Sequence, residues 1–421
     1  MKIALITETF LPKVDGIVTR VAHTARELVH LGHEVEIYSP QSDRETYEGA
    51  GLVGFDWFTL PYYPDNRMAL PSPRLAFQLN RLQPDLVHAV APFFLGVFAC
   101  VWARANRVPL VISYHINLPD YLKYSGLEFY APLLWRGIRE AHALADVNLC
   151  TSSIVLEELR RREFPRLSLW PRAVDDSAFH PDHRDPEWRD RLQAVYPGRK
   201  LALYTGRLSA EKCIDSLRPA LESRDDVHLV IVGDGPQRAS LEEHFRNLPA
   251  TFLGLLQGEE LAQAYAGSDF FIFPSKTETL GLVLLEALAS GLPVLAARSG
   301  GITDALEGAQ QAAFFYEPDH PASLAESLEH IIAVSGDPEI RAAARKSVRA
   351  HTWAASVAKL EEYYQSALVS PVHKELPNPA QMLSFTTGIL AGWGVAGVLG
   401  LKTLLEYGDA GAFSRIRHDV S

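Results

Sequence analysis

Short apolar runs, each closed by a turn and followed by a helix-like stretch, recur along most of the chain. That alternation limits it to a parallel sheet with helices on both faces. The first forty residues set the pattern: IALIT, a loop carrying Pro12, Asp15 and Gly16, a helical stretch to about Leu31, then Gly32 and EVEIYS. This is a β-α-β unit. DLVHAV (85–90) and PLVISY (109–114) continue it. Near 182–199 the alternation breaks at DHRDPEWRD and a Pro197–Gly198 turn. It then restarts with LALYTG (201–206), HLVIVG (228–233), ATFLG (250–254), DFFIFP (269–274) and PVLAA (293–297). The reading is two α/β halves, which suits a length of 421 residues.

Composition excludes several classes. Hydrophobic residues at 47% and charged residues at 22% are ordinary globular usage, so a disordered or polytopic membrane chain is excluded. A net charge of −11 argues against nucleic acid as a partner, which would want a basic surface. Cys100, Cys150 and Cys213 are far apart with no Cys-x-x-Cys, so neither a zinc site nor a disulfide framework is expected, and a reducing, cytosolic compartment fits. MKIALIT lacks the features of a signal peptide.

The expected organisation is an N-terminal Rossmann-like domain over 1–180, a C-terminal one over 181–352 and a returning helix over 353–369. A proline-containing linker over 370–381, an apolar segment over 382–401 and a tail over 402–421 follow. The stretch MLSFTTGILAGWGVAGVLGL is uncharged and as a helix would be about 30 Å long, the thickness of a bilayer core. A C-terminal membrane anchor, with the catalytic domains on the cytoplasmic face of the membrane, is therefore expected.

Several residues suit the chemistry of a nucleotide sugar. Arg207 follows the strand LALYTG and Lys212 lies five residues on, where α/β sheets open toward ligands and two cations would neutralise a leaving diphosphate. In SKTETLGLVLLEALASG, Glu278 precedes a helix starting near Gly281, and Glu286 sits within its apolar run. A carboxylate there needs a partner, either ribose hydroxyls or a nearby Arg or Lys. The backbone N–H groups of Thr279, Leu280 and Gly281 would suit phosphate oxygens. Gly16 would let a backbone N–H approach a phosphate, whereas the glycines of VGDGP read as a structural turn. His115 ends the strand PLVISYH and can donate to a sugar hydroxyl. Tyr121, Lys123, Tyr124, Trp135, Arg136 and Arg139 interleave aromatic and basic side chains, a pattern for acceptor or membrane contact. No Asp-x-Asp occurs, so no metal is expected.

Gly16, His115, GRLSAEK, VGDGP and Glu278-x7-Glu286 followed by GLPV and SGGITD resemble glycosyltransferase family 4, over residues 1 to about 368. The resemblance implies the retaining GT-B fold, two Rossmann-like domains facing across a cleft, here with a C-terminal apolar segment added. It also implies roles: Arg207 and Lys212 on the diphosphate, Glu286 on the ribose, Glu278 with Thr279 to Gly281 on the donor sugar and phosphate, Gly16 closing over the phosphates and His115 near the reacting carbon. MKIALITETFLPKVDGIVTR, NLCTSS, LQGEELAQAYAGSD and FPSKTETLGLVLLEALASGLPV are similar to the sulfoquinovosyltransferases of sulfolipid synthesis. That likeness implies UDP-sulfoquinovose as donor and diacylglycerol as acceptor, on a membrane lipid surface, with no cofactor. Two positions depart from it: Asn117, where His-Thr-His is usual, and Ala173, where glycine is usual. Glucosyl, galactosyl or mannosyl transfer to a lipid is the alternative, with an epimerase or an inactive membrane scaffold behind it.

Overall fold

The computed structural model describes residues 1–369 apart from 14, 43, 61–62, 70–71 and 116–127. The chain divides into two compact units. The first comprises Met1–Cys150, Leu159–Ser168 and the chain from Glu361 on; the second comprises Thr151–Glu158 and Leu169–Leu360.

In the first unit the strands are β1 (Lys2–Thr7), β2 (Glu34–Pro40), β3 (Thr46–Tyr47), β4 (Ala50–Phe55), β5 (Trp57–Leu60), β6 (Tyr63–Ala69), β7 (Leu86–Val90), β8 (Leu110–Tyr114), β9 (Val147–Cys150) and β10 (Leu167–Leu169). Eight form one sheet in the order β10-β9-β8-β7-β1-β2-β4-β3, and β5 pairs antiparallel with β6. Central strands are parallel and buried on both faces, so β1, β7 and β8 carry near-continuous apolar runs. The helix Gly16–His30 starts where Asp15 accepts the N–H groups of Ile17 and Val18, both at 2.9 Å, and buries Val18, Val21, Ala25 and Leu28 at helical spacing.

The second unit carries β11 (Lys200–Thr205), β12 (Val227–Val232), β13 (Ala250–Gly254), β14 (Phe270–Phe273), β15 (Val294–Ala297) and β16 (Ala313–Tyr316). Their order is β13-β12-β11-β14-β15-β16, with every neighbour parallel. The order reverses between β11 and β14, leaving the switch point where doubly wound sheets place ligands beyond the carboxyl ends of their strands. The turns there need glycine. A Cβ on Gly233 (φ +136°) would lie 1.9 Å from the Gly206 carbonyl oxygen, and one on Gly235 (φ +158°) 2.4 Å from that of Leu208. The VGDGP turn is thus a place where two backbones touch. The last described helix runs Trp353–Val369 and buries Val357, Leu360 and Tyr364.

Among the described residues no helix is long and apolar enough to cross a membrane. This overturns the expected location on a membrane face with a C-terminal anchor. The 370–381 linker, the 382–401 segment on which that expectation stood and the 402–421 tail lie outside the described residues.

Candidate active site

The donor-side residues gather at the switch point of the second unit. Arg207 follows Gly206 (φ +148°) at the carboxyl end of β11, its backbone carbonyl accepting the Tyr204 hydroxyl at 3.1 Å. A short 3-10 turn, Ala210–Lys212, then carries Lys212 toward the end of β14. Lys212 Nζ donates to Glu278 Oε2 at 3.0 Å and lies over the Phe273 ring, 5.6 Å from its centre. Two residues 66 positions apart thus form one ion pair, both side chains less than one fifth exposed. Burial pushes the Glu278 carboxyl up; the charge and hydrogen bond of Lys212 and the N–H groups of Gly281 and Thr279 outweigh it and hold the pKa below its ordinary value.

The backbone of 279–281 is occupied. Glu278 Oε1 accepts the N–H groups of Thr279, Leu280 and Gly281 at 3.1, 3.3 and 3.1 Å. The donors expected to meet phosphate oxygens therefore hold the chain's own carboxylate. A phosphate or sugar oxygen that used them would take the place of Oε1. Behind them Gly281 (φ +66°) opens the helix Leu282–Ala289. The SGGITD stretch holds the same turn from outside: a Cβ on Gly301 would lie 2.1 Å from the Glu278 carbonyl oxygen, so only glycine fits there. Asp304 anchors that stretch by accepting from Arg172 Nη2 at 2.7 Å and from Ser153.

Glu286 lies on the helix Leu282–Ala289 and, among the described residues, meets neither an Arg nor a Lys; Tyr265 donates its hydroxyl to Glu286 Oε2 at 2.8 Å. The same hydroxyl is 2.5 Å from Thr205 Oγ1, at the end of β11 beside Arg207. Burial raises the Glu286 carboxyl to about 7, and the Tyr265 hydrogen bond offsets part of the rise. Tyr265 and Thr205 were not foreseen. An aromatic in the helix Gly258–Gly267 reads as core, and Tyr265 is fully buried; only its hydroxyl makes it part of the site.

The first unit holds the other two expected residues. Gly16 is the first residue of the helix capped by Asp15, so its backbone sits at a helix N-terminus. His115 follows β8 and is 2% exposed; its Nε2 is 2.8 Å from Ser113 Oγ. Glu8 was not foreseen either. It is buried at the end of β1, with Oε1 accepting the N–H groups of Phe93 and Gly96 at 3.0 and 2.9 Å; burial pushes its carboxyl up to about 7.

The aromatic and basic stretch separates. Trp135 is buried, stacked on Tyr114 with ring centres 6.2 Å apart and covered by the Arg162 guanidinium at 4.0 Å, so it packs a core. Arg136 is exposed, and Arg139 reaches Glu163 at 3.4 Å. Tyr121, Lys123, Tyr124 and Asn117 lie outside the described residues, and Ala173 is buried. Among the described residues no group of three or more His, Cys, Asp or Glu could hold a metal.

A lysine paired with a carboxylate that is held by the 279–281 backbone, at the switch point of a parallel sheet with Arg207 at the end of the neighbouring strand, can bind a charged and hydroxyl-bearing ligand. The glycosyltransferase family 4 model matches residues 14–178, and that of glycosyl transferases group 1 matches 199–334. The chain is 34% identical to the sulfoquinovosyl transferase SQD2 of Arabidopsis thaliana over 85% of its length and 71% of the relative's. It is 30% identical to a GDP-mannose-dependent alpha-mannosyltransferase of Corynebacterium glutamicum, over 96% and 98% of the two chains. With an alpha-monoglucosyldiacylglycerol synthase of Streptococcus pneumoniae it shares 29% identity over 78% of each. Sucrose-phosphate synthase of Thermosynechococcus elongatus superposes with a TM-score of 0.68 at 20% identity, covering 88% of this chain and 99% of that one. The fold is therefore the two-domain α/β arrangement of GT-B enzymes. The chain belongs to glycosyltransferase family 4 and is a glycosyltransferase.

Proposed function

We propose that the chain transfers a hexosyl unit, with retention, from a nucleoside-diphosphate sugar to a hydroxyl of a diacylglycerol-type lipid. The observation that carries this is the Lys212–Glu278 pair at the switch point, with the 279–281 backbone behind it. A diphosphate oxygen can pair with Lys212 and Arg207, while the carboxylate it displaces becomes an acceptor for sugar hydroxyls. Glu286 would accept from the ribose, held in place by Tyr265. His115 would donate to the sugar, and Gly16 would offer its helix N-terminus to the phosphates.

In the reaction the bond from the anomeric carbon to the diphosphate oxygen breaks. A bond to the acceptor oxygen forms on the same face, and the acceptor's proton passes to the departing phosphate oxygen. Lys212 and Arg207 stabilise the charge that develops there. UDP is the nucleotide of this reading.

The sugar is left at the level of a hexose, because the relatives named above differ in it: sulfoquinovosyl, mannosyl and glucosyl by their names. Glucosyl, galactosyl or mannosyl transfer to a lipid is the leading form. The 34% identity to the Arabidopsis thaliana enzyme favours a second, UDP-sulfoquinovose giving sulfoquinovosyl diacylglycerol.

The test incubates the full chain with diacylglycerol in detergent and, separately, radiolabelled UDP-glucose, UDP-galactose, UDP-sulfoquinovose and GDP-mannose. Label extracted into lipid from one of the UDP-sugars supports the reading and selects the sugar; label from GDP-mannose alone overturns UDP as the nucleotide. Label released as free sugar only, or no turnover of any donor, overturns the reading.

A further inference from the structure

Behind His115 a hydrogen-bond chain runs to the part of the helix Trp353–Val369 that belongs to the first unit, from Glu361 on. His115 Nε2 is 2.8 Å from Ser113 Oγ; Ser113 Oγ is 2.9 Å from His88 Nε2; His88 Nδ1 is 2.7 Å from the Tyr364 hydroxyl. Ser113, His88 and Tyr364 are each 0% exposed, so the chain is buried along its length. Both rings are neutral. Burial drives each below its ordinary pKa, His88 to about 3, and the Arg20 guanidinium adds to both shifts.

With neutral rings the protons can be placed. Among the described residues the Tyr364 hydroxyl meets His88 alone, and a buried O–H with no acceptor is costly, so Tyr364 donates to His88 Nδ1. The single His88 ring proton is then on Nε2 and is donated to Ser113. The Ser113 hydroxyl, whose two partners are the two rings, has His115 Nε2 as its acceptor. His115 therefore carries its proton on Nδ1.

We propose that Tyr364, His88 and Ser113 are positioning residues that fix His115 as an Nδ1–H donor and withhold Nε2 from acid–base work. This rests on the proposed function only in assigning His115 to the sugar. The consequence for that reading is specific: His115 can give a hydrogen bond to a donor-sugar oxygen, but does not take the acceptor's proton through Nε2. Tyr364, far from Ser113 in sequence and on another element, sets the direction of the whole chain.

The experiment is nitrogen NMR of the full chain with 15N-labelled histidine, assigning His115 by its loss in His115→Asn. The expected spectrum shows Nδ1 protonated and Nε2 not; the opposite tautomer overturns the proposal. In Tyr364→Phe the direction is no longer fixed, so part of the His115 population should move its proton to Nε2. There kcat should fall about tenfold while the donor KM holds, the effect of one lost hydrogen bond. An unchanged tautomer in that variant overturns the role of Tyr364. Should the variant not fold, Ser113→Ala removes the donor next to His115 and is read in the same way. His115→Asn, whose amide nitrogen stands in for Nδ1, should keep about tenfold more activity than His115→Gln, which stands in for Nε2. The reverse order sinks the proposal. The tautomer measurement needs no substrate, so it fails or succeeds separately from the assignment of the reaction.

Discussion

Lys212 and Glu278 are where a single change speaks most directly to mechanism. On the proposed function, Lys212→Ala takes a cation away from the developing phosphate charge; it also removes the ion-pair partner that Lys212 gives Glu278. Turnover should fall by ~10²- to 10³-fold, the usual cost of losing one preorganised charge-stabilising donor; steady-state rates decide it, and near-normal turnover would remove Lys212 from the mechanism. Glu286 makes a different prediction, because burial holds its carboxyl at about 7. As pH rises through 7 it ionises in the free enzyme, and in the ribose-binding role proposed for it becomes a better hydrogen-bond acceptor. The kcat/KM for the donor should therefore climb across that interval, and Glu286→Gln should flatten the climb. Glu8 titrates in the same range, so an unflattened profile would shift attention to it. Residue types were legible in sequence: cations after a strand, and acids either side of a helix start. Their partners were not. The 66 positions between Lys212 and Glu278 close only through sheet order, and a lone tyrosine on the buried side of the helix Gly258–Gly267 carries no local sign that its hydroxyl holds Glu286.

Elements were more readable than contacts. The run LALYTG is β11 shifted by one residue, and HLVIVG, ATFLG, DFFIFP and PVLAA fall on β12 to β15, because parallel strands buried on both faces leave unbroken apolar runs. The β5–β6 hairpin was not read, since its YPDNRMA strand shows no clean alternation. Turn glycines separate by environment. Gly233→Ala would drive a Cβ into the Gly206 carbonyl at a φ of +136°, and should cost roughly 3 kcal/mol or more, or prevent folding. Gly308→Ala, also at positive φ (+93°) but with no heavy atom within 4 Å, should lose only about 1 kcal/mol. Denaturant midpoints of the two variants against wild type check the contrast; equal losses would mean that φ alone, not backbone contact, governs these turns.

The whole molecule keeps an unusual set of imidazoles neutral. Burial lowers His88 to about 3 and His142 and His228 to about 4, and lowers His115 and His351 as well. Their folded values lie below the unfolded value of 6.5, so the unfolded chain takes up protons first as pH falls below it. Stability from these groups is present above pH 6.5 and is lost on acidification toward 4 and then 3. Glu8 and Glu286 act oppositely: their folded values near 7 exceed the unfolded 4.5, so their contribution fades as pH rises from 4.5 to 7. Histidines outnumber the carboxylates, so the denaturant midpoint should fall between pH 6.5 and 4.5, and a rise over that interval would refute the balance.

Tyr364 meets His88 across 276 positions of sequence, and it lies beyond the last residue of the second unit. During synthesis the ribosome must therefore deliver the entire second unit before the first can seal its interior. Until then the nascent first unit waits with a buried imidazole lacking its donor, and a chain halted at Leu360 would hold that vacancy for good.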